Sequence, residues 1–173
     1  MTRPIVSLLF IVLAASAGAA EPSGGDFAFA VEVVVPGQPI DVFDATFGDV
    51  TGWWDHSMSD DPHAMYIEPK PGGAFMEIFD ESGDGVRHAV VTYAKRGEKL
   101  RFEGPLGLAG NALFMVTTWT FSDADEGHTL INVEIKGAGA VEPRWPVVIA
   151  NTWRHFLAER LKPYLEGGGV PLD

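Results

Sequence analysis

No cysteine occurs in this chain of 173 residues, which excludes disulfides, thiolate nucleophiles and cysteine-ligated metals. Basic residues are scarce as well: 12 Lys and Arg stand against 24 Asp and Glu, for a formal net charge of −12. Gripping a phosphate backbone or an anionic lipid surface takes clusters of Lys and Arg, so nucleic acid is not an expected partner. The sequence also lacks a G-x-x-x-x-G-K-[ST] phosphate loop, and nucleotide hydrolysis is not expected. It has no G-x-S-x-G elbow, and its serines at 57, 59, 82 and 122 fall in loops, so no Ser-His-Asp arrangement is legible. There is no internal repeat and no linker. With 46% of its residues apolar, a chain of this length can bury one substantial core, and one domain is the natural count.

Long apolar runs are confined to the N-terminus. Arg3 precedes an apolar stretch at residues 5–13 and a small-residue stretch at residues 14–20 with an A-x-A match at Ala17 and Ala19. This is the pattern of a secretory signal peptide, with cleavage expected near Ala19 or Ala20. A bilayer span needs about 20 apolar residues, so no membrane span is expected after cleavage. The expected organisation is a signal peptide at 1–20, a flexible lead at 21–26, one domain at 27–167 and a tail at 168–173, exported to the periplasm or the medium.

Residues 27–35 alternate in polarity and size as a half-buried strand does. Pro39 then opens a short helix at 40–47, with Ile40, Phe43 and Phe47 expected on one face and Asp41 and Asp44 near its positive end. A second short helical turn is expected at 50–54, followed by a polar loop at 55–64. From there the chain reads as strands at 65–69, 74–80, 86–94, 99–103, 113–121 and 129–136, separated by glycine-rich turns. The last long stretch, 142–166, carries Ile149, Trp153, Phe156, Leu157, Leu161, Tyr164 and Leu165 at three- and four-residue steps, which is an amphipathic helix. Pro146 suits its first turn, residues 167–169 are three glycines that stop it, and Pro163 predicts a kink near its end. The fold class is α+β: a curved antiparallel sheet of about six to seven strands, two short helices after the first strand, and a long C-terminal helix against the sheet.

Several segments together resemble the SRPBCC superfamily. They are Val42-Phe43 followed by Trp53-Trp54, the run Ile67-Glu68-Pro69-Lys70-Pro71-Gly72-Gly73-Ala74-Phe75, the turn Gly127-His128-Thr129, and the ending from Trp153 to Leu165. Within that superfamily the pattern is nearest the heat-shock-protein ATPase activator homologue-like group, and the match covers residues 27–166. The resemblance implies a helix-grip (START-like) fold with a hydrophobic cavity between sheet and helix, and a hydrophobic small molecule as the partner. It does not imply one reaction, since related domains bind lipids, sterols or polyketides and some catalyse cyclisation. An exported chain meets neither cytosolic chaperone nor ATP, so the group's name is taken as a family label.

The residues expected to line that cavity are Trp54, Phe75, Met76, Phe102, Met115, Trp119, Ile149, Trp153 and Phe156, large and adaptable side chains on sheet and helix faces. The glycine-rich loop at 104–110 is the expected entrance. Two side chains are candidates for proton transfer in an alternative cyclase- or hydratase-type reading, Glu77 and His88. Strand alternation groups His88 with Val90 and Thr92, opposite Ala89, Val91 and Tyr93. The loop at 53–63 gathers His56, His63 and the carboxylates of Asp55, Asp60 and Asp61. His56, Asp60 and His63 have metal-ligand chemistry, but their spacing matches no metal motif, and the preferred reading is a structural loop anchored by its tryptophans. No cofactor is expected, and a structural or protein-partner role is the remaining alternative.

Overall fold

The structure, a computed structural model, describes residues 25–169. The expected signal peptide lies outside these residues. Eight antiparallel strands form one curved, unclosed sheet: β1 (Gly25–Pro36), β2 (Gly48–Asp49), β3 (Ala64–Ile67), β4 (Ala74–Ile78), β5 (Gly85–Lys95), β6 (Lys99–Glu103), β7 (Leu113–Ala124) and β8 (His128–Gly139). Their spatial order is β1-β8-β7-β6-β5-β4-β3-β2. Every neighbouring pair other than β1–β8 is therefore consecutive in the chain, as the succession of glycine turns predicts. The eighth strand is β2, whose two residues pair with Ile67 and Tyr66 of β3. Two residues carry no periodicity, which is why it is not legible in the sequence.

Alternation places the apolar side chains on one face. Phe27, Val31 and Val35 of β1, the β7 series Leu113, Met115, Thr117, Trp119 and Phe121, and Ile131, Val133 and Ile135 of β8 are all buried. Helix α1 (Pro39–Thr46) follows β1 and closes one end of this face through Val42, Phe43 and the following Phe47, while Ile40, expected on the buried side, is 44% exposed. The expected second short helix is a single turn, in which the amides of Trp53 and Trp54 both donate to the Val50 carbonyl. The tryptophans it delivers matter more than the turn itself. Trp53 is fully buried, and its Nε1 donates to the Thr46 carbonyl at 3.2 Å.

The C-terminal helix runs through three segments: α2 (Trp145–Arg154), a π-helical stretch (His155–Leu161) and α3 (Lys162–Glu166). Trp153, Phe156, Leu157, Leu161 and Leu165 face the sheet and join its core. The backbone stays helical through Leu161 and Lys162, and the Lys162 amide donates five residues back, to the Leu157 carbonyl. Pro163 thus stands just after the π stretch, with no N–H to donate to the turn before it. In place of the kink expected at Pro163, the helix carries a π stretch just before it, with helical backbone angles at the junction. No helix among the described residues is long and apolar enough to cross a membrane.

Candidate functional site

The inner face of the sheet is not filled along its whole length. A cavity of about 290 Å³ opens between β7, the start of the C-terminal helix and two loops. The loop after the Trp53-Trp54 turn supplies Trp54, His56, Ser57 and Met58; the loop after β6 supplies Pro105, Leu106, Gly107 and Leu108. The helix presents Val148, Ile149, Thr152, Trp153 and Phe156, and the floor is Met115 with His88. Trp54 is the hinge between loop and helix. Its ring stacks on Phe156 at 4.0 Å between centroids and meets Phe75 edge-on at 4.9 Å, and its Nε1 donates to the His56 carbonyl at 2.8 Å.

Of the nine side chains expected in the cavity wall, Trp54, Met115, Ile149, Trp153 and Phe156 line this space. Phe75, Phe102 and Trp119 are fully buried in the packed core. Met76 alternates with the buried Phe75 and Glu77, so it faces the other side of the sheet. The entrance loop is less loose than its glycines suggest. It holds a short 3-10 turn at Leu106–Leu108, and Leu106 is 7% exposed despite its left-handed backbone at φ 53°.

His88 reaches the wall through a break in the strand pattern. Phe75 pairs with Ala89 and Met76 with Arg87, so His88 is an extra residue on β5, a β-bulge. The bulge turns His88 inward beside Ala89 and Val91, all three buried, while Val90 and Thr92 are only partly covered. The grouping expected from strict alternation therefore fails at this point. Gly104, opposite the bulge, has to be glycine: a Cβ there would collide with the His88 carbonyl oxygen and the Ala89 backbone.

Behind His88 sits Glu77, fully buried on β4. Its carboxylate accepts from His88 Nε2 at 3.0 Å, from the Met58 amide at 2.9 Å, and from the Ser59 amide and hydroxyl at 2.8 and 2.9 Å. Burial pushes the Glu77 carboxyl up, but these donors outweigh it and hold the group below its ordinary value. One buried carboxylate thus ties the 55–63 loop to the sheet and fixes the His88 ring, whose centroid lies 5.0 Å from that of the tilted Phe75 ring. Among the buried polar side chains described, His88 is the one in the cavity wall.

The residues with metal-ligand chemistry are not brought together as the sequence suggests. His56 lies with Asp55 and His155, their donor atoms within 4.8 Å of one another. Asp60 lines a separate polar hollow of about 300 Å³ with Asp55 and Asp61, and His63 stands near Asp80. His155 is held from both sides, Nδ1 to Glu159 at 2.9 Å and Nε2 to Asp55 at 2.7 Å. The bonds to Glu159 and Asp55 raise the His155 pKa above its ordinary value. Burial works to raise the Asp55 carboxyl, yet the hydrogen bonds from His155 and His56 hold it down. With both ring nitrogens of His155 engaged by carboxylates, the cluster is an ion-paired latch between loop and helix. Asp55 and His155 are 100 residues apart in the chain, so no local motif reveals it.

No known family model matches the sequence, and no curated protein matches it. Solved structures do. SA2116 from Staphylococcus aureus, a protein of unknown function, is 12% identical with a TM-score of 0.64, over 84% of this chain and 97% of that one. DynU16, from the dynemicin biosynthetic locus, is 21% identical with a TM-score of 0.58, over 83% of this chain and 48% of the other. The Aha1 dimer from Colwellia psychrerythraea is 17% identical with a TM-score of 0.55, over 81% of this chain and 96% of that chain. At such identities the likeness concerns the fold alone, and the fold it supports is helix-grip-like.

Proposed function

We propose that this chain is an exported helix-grip domain that binds a hydrophobic small molecule between its sheet and its C-terminal helix. The observation that carries the reading is the cavity of about 290 Å³ walled by Trp54, Met58, Leu106, Met115, Ile149 and Trp153. Binding sites of this kind are concave, mostly apolar and sparing in polar groups, and this volume lies near the lower end of the usual range of about 300–1,000 Å³. The ligand is accordingly small. Met58 and Val148, 47% and 52% exposed, form a rim on which an apolar molecule enters without crossing a charged barrier.

Two measurements test this. Native mass spectrometry of protein taken from its own host is expected to show a co-purifying small molecule. Trp54 and Trp153 line the cavity, so their fluorescence is expected to respond to apolar probes such as 1-naphthol. Empty protein with tryptophans indifferent to every apolar probe would sink the reading. Export is tested separately by N-terminal sequencing, with a mature chain expected to begin at Ala20 or Glu21 and a retained Met1 as the contrary result. The nearest-group assignment to the heat-shock ATPase activator homologues is kept as a family relation and brings no chaperone partner.

A second reading, a cyclase- or hydratase-type enzyme, is favoured by one feature, the Glu77–His88 pair in the wall. Glu77 is ill suited to shuttle protons near neutrality, because its carboxyl is held down. Its fit is to orient the imidazole. Conversion of the co-purified molecule during incubation, seen as a change of its mass, would move the weight to this reading.

A further inference from the structure

Of the residues classed as polar that line the cavity, His88 is the buried one, and its bonding is unfinished. His88 is 4% exposed, and its only hydrogen bond runs from Nε2 to Glu77. Glu77 already accepts from two backbone amides and a hydroxyl, so it stands as a carboxylate and can only accept. Nε2 must then carry the proton. In the neutral imidazole this leaves Nδ1 with a bare lone pair, and Nδ1 has no partner among the described residues. Three features fix the ring: the bulge that makes His88 the extra residue on β5, the Gly104 backbone packed against that bulge, and the tilted Phe75 ring 5.0 Å away between centroids. The two hydroxyls in the wall donate locally, Thr152 Oγ1 to the Val148 carbonyl at 3.1 Å and Ser57 Oγ to the Ser59 carbonyl at 2.6 Å.

We infer that His88 Nδ1 is the specificity-determining acceptor of the cavity, selecting apolar molecules that carry one hydrogen-bond donor, a phenolic or alcoholic O–H or an N–H. The inference rests on the cavity being a ligand site. The selection works mainly by exclusion. An apolar ligand without a donor strips water from Nδ1 and leaves it unpaired in a dry wall, whereas one with a donor replaces that water. Trp54, Met115 and Trp153 then hold the carbon skeleton, indifferent to its substituent.

The test uses 1-naphthol and 1-methylnaphthalene, which differ in little but the donor, titrated calorimetrically into the full chain at about pH 8, above the ordinary histidine range. The ratio of their affinities is expected to fall about tenfold from wild type to His88→Phe, with 1-methylnaphthalene still bound. An unchanged ratio overturns the inference and leaves the cavity reading standing; failure of wild type to bind either probe overturns both. If His88→Phe does not fold, the wild-type protein labelled with ¹⁵N at histidine decides the matter. An Nε2–H tautomer is expected, with the Nδ1 resonance moving on addition of 1-naphthol and still on addition of 1-methylnaphthalene. An Nδ1–H tautomer, or equal response to both probes, overturns it.

Discussion

The two ends of the space between sheet and C-terminal helix share one strand and come out opposite. Along the inner face of β7, Leu113, Met115, Thr117, Trp119 and Phe121 succeed one another at two-residue steps. At the far end Phe121 meets Phe43 at 5.3 Å between centroids, and Trp119 meets Phe47 at 5.4 Å and Trp53 at 6.1 Å, all edge-on. Helix α1 lies over this end and the rings fill it. At the near end the strand offers Met115, the helix offers Val148 and Ile149, and loops replace α1 as the covering layer, so the cavity remains. The covering layer, helix at one end and loops at the other, together with side-chain size along a single strand, decides where the interior is solid and where it is open.

The largest expected effect of breaking this contrast is at the solid end. Trp119→Ala should lower the unfolding free energy by about 3–5 kcal/mol, because rings on several sides cannot collapse into the gap. Met115→Ala already borders a space, and its loss should stay near 2 kcal/mol. Equal losses in urea titrations of the two variants would erase the distinction.

Next comes the tether beneath the open end. Glu77→Gln should cost about 1–3 kcal/mol by leaving donors of the 55–63 loop poorly paired. The folded carboxyl lies below its ordinary 4.5. Its contribution is therefore present above that value and lost as pH falls below it, through the folded value. Wild type and Glu77→Gln should converge in stability on acidification; parallel curves would show that the tether carries no charge-dependent stability.

The smallest effect belongs to the latch over the open end. The His155 pKa is raised above its ordinary 6.5, so its contribution is complete below that value and fades as pH rises through the folded one. Being partly solvated, it should amount to less than about 1 kcal/mol. Proteolysis of the 55–63 loop should quicken on that rise while the α1 end stays protected, and His155→Gln should remove the pH dependence. A pH-indifferent cleavage rate in wild type would show that Asp55 and Glu159 do not hold the loop through His155.

Most of the fold was legible because each strand repeats its signal: five alternating residues in β1 and β7, glycines between hairpins, and four-residue spacing in the last helix. The failures are where a single residue breaks period. The bulge at His88 reverses the face that alternation assigns, and nothing local to the histidine announces it, although Gly104 is its distant companion. Ile40 continues the apolar pattern of α1 yet is 44% exposed in the first turn of the helix, with Val42 taking the buried place. At the site, aromatic and methionine residues marked the interior without dividing core from cavity, because Phe102 and Met115 look alike in sequence and differ in what faces them. The Asp55–His155 latch joins residues that only the folded chain makes neighbours.

The π turn in the C-terminal helix also acts as a phase corrector. Trp153, Leu157, Leu161 and Leu165 are spaced by four, and in an unbroken α-helix of 3.6 residues per turn each such step overshoots by about 40°. Over three steps the stripe would wind about a third of the way around the helix and leave the sheet. A turn bonded five residues back takes more than four residues to come round, and so it unwinds part of that drift. In the π stretch His155–Leu161 the chain spends one residue to keep all four side chains on the sheet. In terms of sequence change, the stretch behaves as a one-residue insertion absorbed in place, and deleting one residue between Leu157 and Leu161 would leave a regular α-helix that still presents Trp153, Leu157, Leu161 and Leu165 to the sheet.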